Sequence, residues 1–126
     1  MTLHYTPVEQ RPRTIISDID GCIFKQDWPG MIVEPRDDVL PGVVEKFAEW
    51  YTNGDHIILV TARPWAYKAK TEWQLRQAGI LYHDLVMGLP TGVRFLINDT
   101  KPEQSDRPCA VAINIARDTG FEDIEI

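Results

Sequence analysis

The chain has 126 residues, 44% hydrophobic and 25% charged, and carries 13 Lys+Arg against 19 Asp+Glu for a net charge of -6. That length is one domain with room for a core, and no apolar stretch is long enough to span a bilayer. The acidic balance argues against electrostatic capture by nucleic acid or an anionic membrane. Two cysteines, Cys22 and Cys109, make no disulfide framework and read as small core side chains, which fits a reducing cytoplasm.

Residues 1–12 are polar and Pro-containing, a tail without the apolar segment of a signal peptide. Thr14 to Ser17 is a short apolar run, read as a buried strand, and it ends in Asp18-Ile19-Asp20-Gly21. In residues 22–41, two apolar triplets flank Trp28-Pro29-Gly30, the pattern of a small β-hairpin with Trp28 and Met31 near its tip. Pro41-Gly42 opens a helix in which Val43, Val44, Phe47, Ala48 and Tyr51 share a face, and Asn53-Gly54 closes it. His56 opens the run Ile57-Ile58-Leu59-Val60, whose brevity and β-branching predict a strand buried on both faces. It ends in Thr61-Ala62-Arg63-Pro64. Pro64 suits the first turn of a helix, which is expected to run to about Ala78 with Ala66, Ala69, Trp73 and Leu75 or Ala78 inward, and Gly79 as its stop. Asp84 to Met87 and Arg94 to Ile97 read as further strands, the second ending in Asn98-Asp99. Cys109 to Ile115 is another apolar run, and Phe121 to Ile126 an expected edge strand.

Strands alternating with helices predict an α/β domain with a mostly parallel sheet and crossover helices. Three strands end in polar groups: Asp18/Asp20, Thr61 and Asn98/Asp99. Ligands of open α/β sheets bind beyond the carboxyl ends of the strands, so three distant segments converge on one edge. Asp18, Asp20 and Asp99 would form a cluster of hard oxygen donors suited to Mg2+. The Thr61 hydroxyl, the start of the following helix and the Arg63 fork would make a phosphate pocket beside it. One carboxylate there can attack phosphorus, and a second can protonate the leaving oxygen and then activate water. Singly, each group has an ordinary reading: solvated turn acids, a strand-end hydroxyl, a surface arginine. Glu103 is either an outer ligand or a turn residue. His4, His56 and His83 show no ligand spacing.

The segments Ile15-Ile16-Ser17-Asp18-Ile19-Asp20-Gly21, Ile57-Ile58-Leu59-Val60-Thr61-Ala62-Arg63 and Phe95-Leu96-Ile97-Asn98-Asp99 resemble three signature motifs of the haloacid dehalogenase superfamily, in that superfamily's order. The resemblance runs from about residue 13 to about 103. It implies a Rossmann-like α/β/α sandwich, Mg2+ dependence and phosphoryl transfer through an aspartyl-phosphate. It assigns Asp18 as nucleophile and metal ligand, and Asp20 as acid/base that also offers its backbone carbonyl to the metal. It gives Asn98 and Asp99 to the metal, and Gly21, Thr61, Ala62 and Arg63 to the phosphate. Cys22 stands where Thr or Val is common, and Asn98 where a second Asp is common. A Lys expected before the last strand is missing; Lys101 is the first substitute, then Lys68, with Lys70 and Arg94 also in reach.

The short intervals after the first and second motifs leave room for the 22–41 hairpin as a flap but for no cap domain. The expectation is therefore a single-domain, capless, cytoplasmic phosphatase for a small phosphorylated metabolite such as a sugar phosphate. Such a site is either open to large substrates or covered by a second copy of the chain. Two alternatives stand beside it: a nucleic-acid 3′-phosphatase of the polynucleotide kinase-phosphatase type, and a non-catalytic binding module of the same fold.

Overall fold

The computed structural model describes residues 11–26, 38–100 and 109–126. Three strands, β1 (Thr14–Asp18), β2 (His56–Val60) and β3 (Asp84–Val86), form a parallel sheet in the order β1-β2-β3. Helices α1 (Val43–Thr52) and α2 (Lys68–Ala78) cross between successive strands. The register runs from Thr14 opposite His56 to Asp18 opposite Val60, and from Ile58 opposite Asp84 to Val60 opposite Val86.

Helix α1 follows its sequence signals closely. Gly42, at φ 76, precedes it, and Val43, Phe47 and Trp50 are its buried residues. Trp50 replaces the expected Tyr51, which is exposed. Phe121 packs with both aromatic rings, at centroid distances of 5.5 and 5.9 Å. The run expected as a C-terminal edge strand thus serves as an anchor: no strand forms at 121–126, and Phe121 enters the core.

Helix α2 begins later than expected. Pro64 is extended, at ψ 148, and a 3-10 turn at Trp65–Tyr67 precedes the α-helix. Gly79, at φ 77, stops it as expected. The buried residues are Thr71, Gln74 and Leu75, while Ala66 and Ala69 are exposed and Trp73 is half-buried. Two polar side chains hold the face assigned to apolar ones, because a buried arginine described below lies under them.

Because the strand order advances in one direction, right-handed crossovers put both helices on one face of the sheet. Val43, Phe47 and Trp50 of α1, and Leu75 of α2, accordingly share one core with Ile57 and Leu59 of β2. The opposite face is only partly covered: Ile58 and Val60 are half-buried, and Ile16 on β1 is 52% exposed. Strands β1 and β2 are therefore not buried on both faces. Among the described residues the architecture is two layers, sheet and helices, without the third layer of a sandwich.

The expected strand Arg94 to Ile97 is not formed. Residues 91–100 have no regular structure, and Phe95 and Ile97 are 86% and 94% exposed. Cys109 to Ile115 likewise forms no strand, although Ile115 packs against the core. The chain on either side of residues 27–37 runs antiparallel, with Phe24 opposite Val39, Lys25 N–H donating to Asp38 O and Leu40 N–H donating to Ile23 O. Trp28 and Met31 lie outside the described residues, as do the first ten residues, Lys101 and Glu103. Among the described residues, no helix is long and apolar enough to cross a membrane.

Candidate active site at the ends of β1 and β2

Parallel pairing with Asp18 opposite Val60 sends both chains out of the sheet at the same edge. Beyond β1, Ile19 is fully buried and its carbonyl accepts from the amides of Ile23 at 2.8 Å and of Cys22 at 3.2 Å. Gly21 then turns the chain back, at φ +87, with its amide donating to Phe24 O at 2.7 Å. Any residue with a Cβ would be strained in that backbone region. The result is a short, tightly wound loop carrying Asp20.

Beyond β2, Thr61 is buried, and its N–H donates to Val86 O at 2.9 Å. Its Oγ1 accepts from Arg63 N–H at 3.1 Å. Gly88 N–H donates to Arg63 O and Leu89 N–H to Thr61 O, so the loop after β3 holds this segment from the side. Gly88 sits at φ +70 with Trp65 over it; a Cβ there would stand 2.8 Å from Trp65 Cδ1.

Arg63 is 1% exposed. Its Nε donates to Asp20 Oδ2 at 2.9 Å and its Nη2 to Asp20 Oδ1 at 2.8 Å, a bidentate fork on one carboxylate. Its Nη1 donates to Thr71 Oγ1 at 3.1 Å and to Gln74 Oε1 at 2.8 Å. This differs from the expected arginine open to phosphate: the guanidinium faces inward, onto Asp20 and α2. The 3-10 turn moves the start of α2 away from Thr61, so the anion-attracting helix end expected there is not adjacent to it.

Asp18 is reachable, with its side chain 39% exposed and Oδ1 3.5 Å from Arg94 Nη1. Among the described residues proposed to fill the missing Lys position, Arg94 is thus the one placed beside Asp18; Lys101 lies outside the described residues. Lys68 instead faces Glu72 at 3.8 Å and lies 5.8 Å from the Trp65 ring centroid. Cys22, next to the loop, is pushed up to about 11 by burial, with the nearby charge of Asp18 adding to the shift. It therefore stays a thiol at neutral pH and is a poor nucleophile.

Asn98 and Asp99 lie on the exposed 91–100 segment, where Asn98 Nδ2 donates to Asp99 O at 3.1 Å. Among the described residues, no three His, Cys, Asp or Glu side chains gather closely enough to hold a metal ion. Asp18, Asp20, Gly21, Thr61, Ala62 and Arg63 lie where β1 and β2 leave the sheet at one edge; Asn98 and Asp99 lie on the 91–100 segment.

Four residues of this neighbourhood escape a reading by motif. Thr71 and Gln74 sit three apart on α2, on the same face as Leu75 and Ala78; polar residues on such a stripe signal a buried charge beneath. Asp118, at φ 66, donates its N–H to Gly21 O at 3.0 Å and accepts at Oδ1 from Gln26 N–H at 2.8 Å. Arg117 lies against Gly21, its Cγ 3.4 Å from where a Cβ would stand. The turn at 116–118 thus clasps the Asp20 loop, and no local pattern announces it.

No family model and no curated protein matches the chain. Among solved structures it is similar to a D,D-heptose 1.7-bisphosphate phosphatase from B. bronchiseptica complexed with magnesium and phosphate, at 22% identity and a TM-score of 0.43. The match covers 60% of this chain and 49% of that one, so the chain spans about half the length of that protein.

Proposed function

We propose that the chain is a Mg2+-dependent phosphomonoester hydrolase of the haloacid dehalogenase type, working through an aspartyl-phosphate on Asp18. One observation carries this reading. The parallel register of β1 and β2 delivers two carboxylates and a threonine hydroxyl to one sheet edge, and an ion pair locks Asp20 to Arg63, 43 residues away in sequence. The three motifs that resemble that superfamily lend it further support.

The donors at this edge suit Mg2+ chemically. The Asp18 carboxylate and the Asp20 backbone carbonyl are hard oxygens, and Mg2+ needs only one or two carboxylates besides water and substrate phosphate. Asn98 and Asp99 are the further proposed ligands. When bound, the ion neutralises charge on the phosphoryl oxygens.

Asp18 attacks phosphorus, forming a P–O bond while the bond to the leaving oxygen breaks. The leaving oxygen keeps the electron pair and takes a proton from Asp20, whose carboxylate, ion-paired with Arg63, has first taken it from the substrate's phosphate monoanion. Asp20, again ionised, accepts a proton from a water that attacks the phosphorus. The bond to Asp18 breaks, and phosphate leaves with the proton held by Asp20, restoring both side chains. The Thr61 hydroxyl and the Ala62 amide hold phosphoryl oxygens, Gly21 lets the backbone turn close to them, and Arg94, with Lys101, supplies the positive charge of the missing Lys.

The substrate is a small phosphorylated metabolite such as a sugar phosphate; the net charge of -6 weighs against a nucleic acid. Only a 3-10 turn, α2 and β3 separate Arg63 from Gly88, which supports a capless site, covered by a second copy in a cytoplasmic enzyme.

Turnover of p-nitrophenyl phosphate with and without Mg2+ tests the proposal, with Asp18→Asn as control. Wild type should turn over only with Mg2+, and the variant should lose on the order of 10⁴-fold or more in kcat. Equal rates for the two proteins would sink the mechanism. Sugar phosphates assayed against 3′-phosphorylated oligonucleotides then sort the substrate class.

A further inference from the structure

A guanidinium out of water is costly unless its donors find acceptors in good geometry. Arg63, beyond β2, meets that demand with a side chain from the loop beyond β1 and two from α2. Thr71 and Gln74 are fully buried and lie on successive turns of that helix. Both accept from Nη1, the nitrogen turned away from Asp20. Nε and Nη2 grip the two oxygens of Asp20. The plane of the guanidinium is therefore set from one side by α2, and it sets the plane of the carboxylate on the other. Its backbone is held as well, through Thr61 Oγ1 and Gly88 N–H.

We infer that Arg63, braced by Thr71 and Gln74, is a positioning residue that aims the Asp20 carboxyl at the leaving oxygen, and is not a ligand for the phosphate. This rests on the function proposed above and adds a division of labour within it. An arginine that binds phosphate presents its fork to solvent until substrate arrives. This one is 1% exposed, and its fork lies on an acid whose own side chain is 11% exposed. The Asp20 loop alone fixes where the backbone turns; the carboxylate plane needs a rigid, planar, two-point contact, which a guanidinium supplies and an ammonium does not.

The consequence is a dependence on leaving group. An alkoxide is strongly basic, so its departure needs the proton from Asp20 in the transition state. A p-nitrophenolate departs without it. Misaiming Asp20 therefore lowers kcat/KM for alkyl phosphates and largely spares it for aryl ones, because the water step that also uses Asp20 follows departure of the leaving group and is common to both.

The test uses the full chain with Mg2+, comparing wild type, Arg63→Lys, Thr71→Val and Gln74→Met. Each is assayed for kcat and KM on p-nitrophenyl phosphate and on glycerol phosphate, with circular dichroism to verify folding. The alkyl-to-aryl ratio of kcat/KM should fall about 100-fold in Arg63→Lys and roughly tenfold in Thr71→Val and Gln74→Met. KM for the aryl ester should not rise. The two α2 variants keep side-chain volume, so they carry the test if the lysine variant does not fold. An unchanged ratio, with or without slower rates, overturns the positioning role. A KM raised for both esters overturns it in favour of phosphate binding. A wild type inert on both overturns the proposed hydrolase, and this role with it; an active wild type with uniform losses overturns this role alone.

Discussion

The two ends of the sheet each carry an arginine–aspartate pair, and the pairs serve different purposes. At the amino ends, Arg13 and Asp55 stand one residue before β1 and β2. Arg13 Nη2 lies 2.7 Å from Asp55 Oδ2, and the Arg13 N–H donates to Oδ1 at 2.8 Å. The next boundary is tied similarly: His56 meets Asp84 at 2.6 Å, and His83 stacks between Tyr51 and His56. These contacts staple neighbouring strand starts, and their basic side chains keep a wet side; that of Arg13 is 33% exposed. At the carboxyl ends, Arg63 has no such outlet and depends on α2 for acceptors. Similar chemistry thus fastens at one end and aims at the other. Which it does follows from whether the cation can reach water.

Breaking the inner pair should have the largest effect on the fold. Arg63→Met leaves the Asp20 carboxylate buried without its counter-charge, and should cost about 3–5 kcal/mol in urea unfolding. Next comes Asp55→Asn, expected to cost about 2 kcal/mol. This pair also predicts an acid dependence. The hydrogen bond from Arg13 is the main cause holding the Asp55 carboxyl below its ordinary value. The folded state therefore releases that proton more readily than the unfolded chain. Its stabilising contribution is complete above the usual carboxylate range and drains away as pH falls through the lower folded value. Urea midpoints of wild type should thus approach those of Asp55→Asn on acidification; a constant gap would remove the pair from the account.

Smaller effects sharpen the contrast. Gly88→Ala forces a Cβ into a backbone at φ +70 and against Trp65. It should cost about 1–2 kcal/mol, mostly as backbone strain, since the exposed indole can move aside. Asp84→Asn, in a pair exposed on both sides, should shift stability by less than about 0.5 kcal/mol in the same assay. A large loss there would mean that the amino-end staples matter more than their exposure suggests.

Legibility in the sequence followed the kind of signal. Helix α1 and strand β2 were readable because apolar spacing and glycine stops act locally. The edge carrying Asp18, Asp20 and Thr61 was readable because parallel strands place their polar ends together. The inner face of α2 was not, since a 3.6-residue reading looks for apolar side chains where Thr71 and Gln74 serve a buried cation. Arg94 to Ile97 is apolar enough for a strand, but a strand needs a partner edge, and four residues cannot specify one. The clasp of Asp118 on Gly21 depends on contacts across most of the chain, which no window contains.

Helix α2 also differs from a helix seated on oil. Apolar contacts are non-directional and tolerate a small slide or roll, so such helices drift as their sequences change. This one is indexed to a planar group by directional bonds at Thr71 and Gln74. Exposed positions such as Lys70 and Gln77 are free to vary, while a rotation of a fraction of a turn would withdraw both acceptors at once. The helix behaves as a keyed part with a single working orientation.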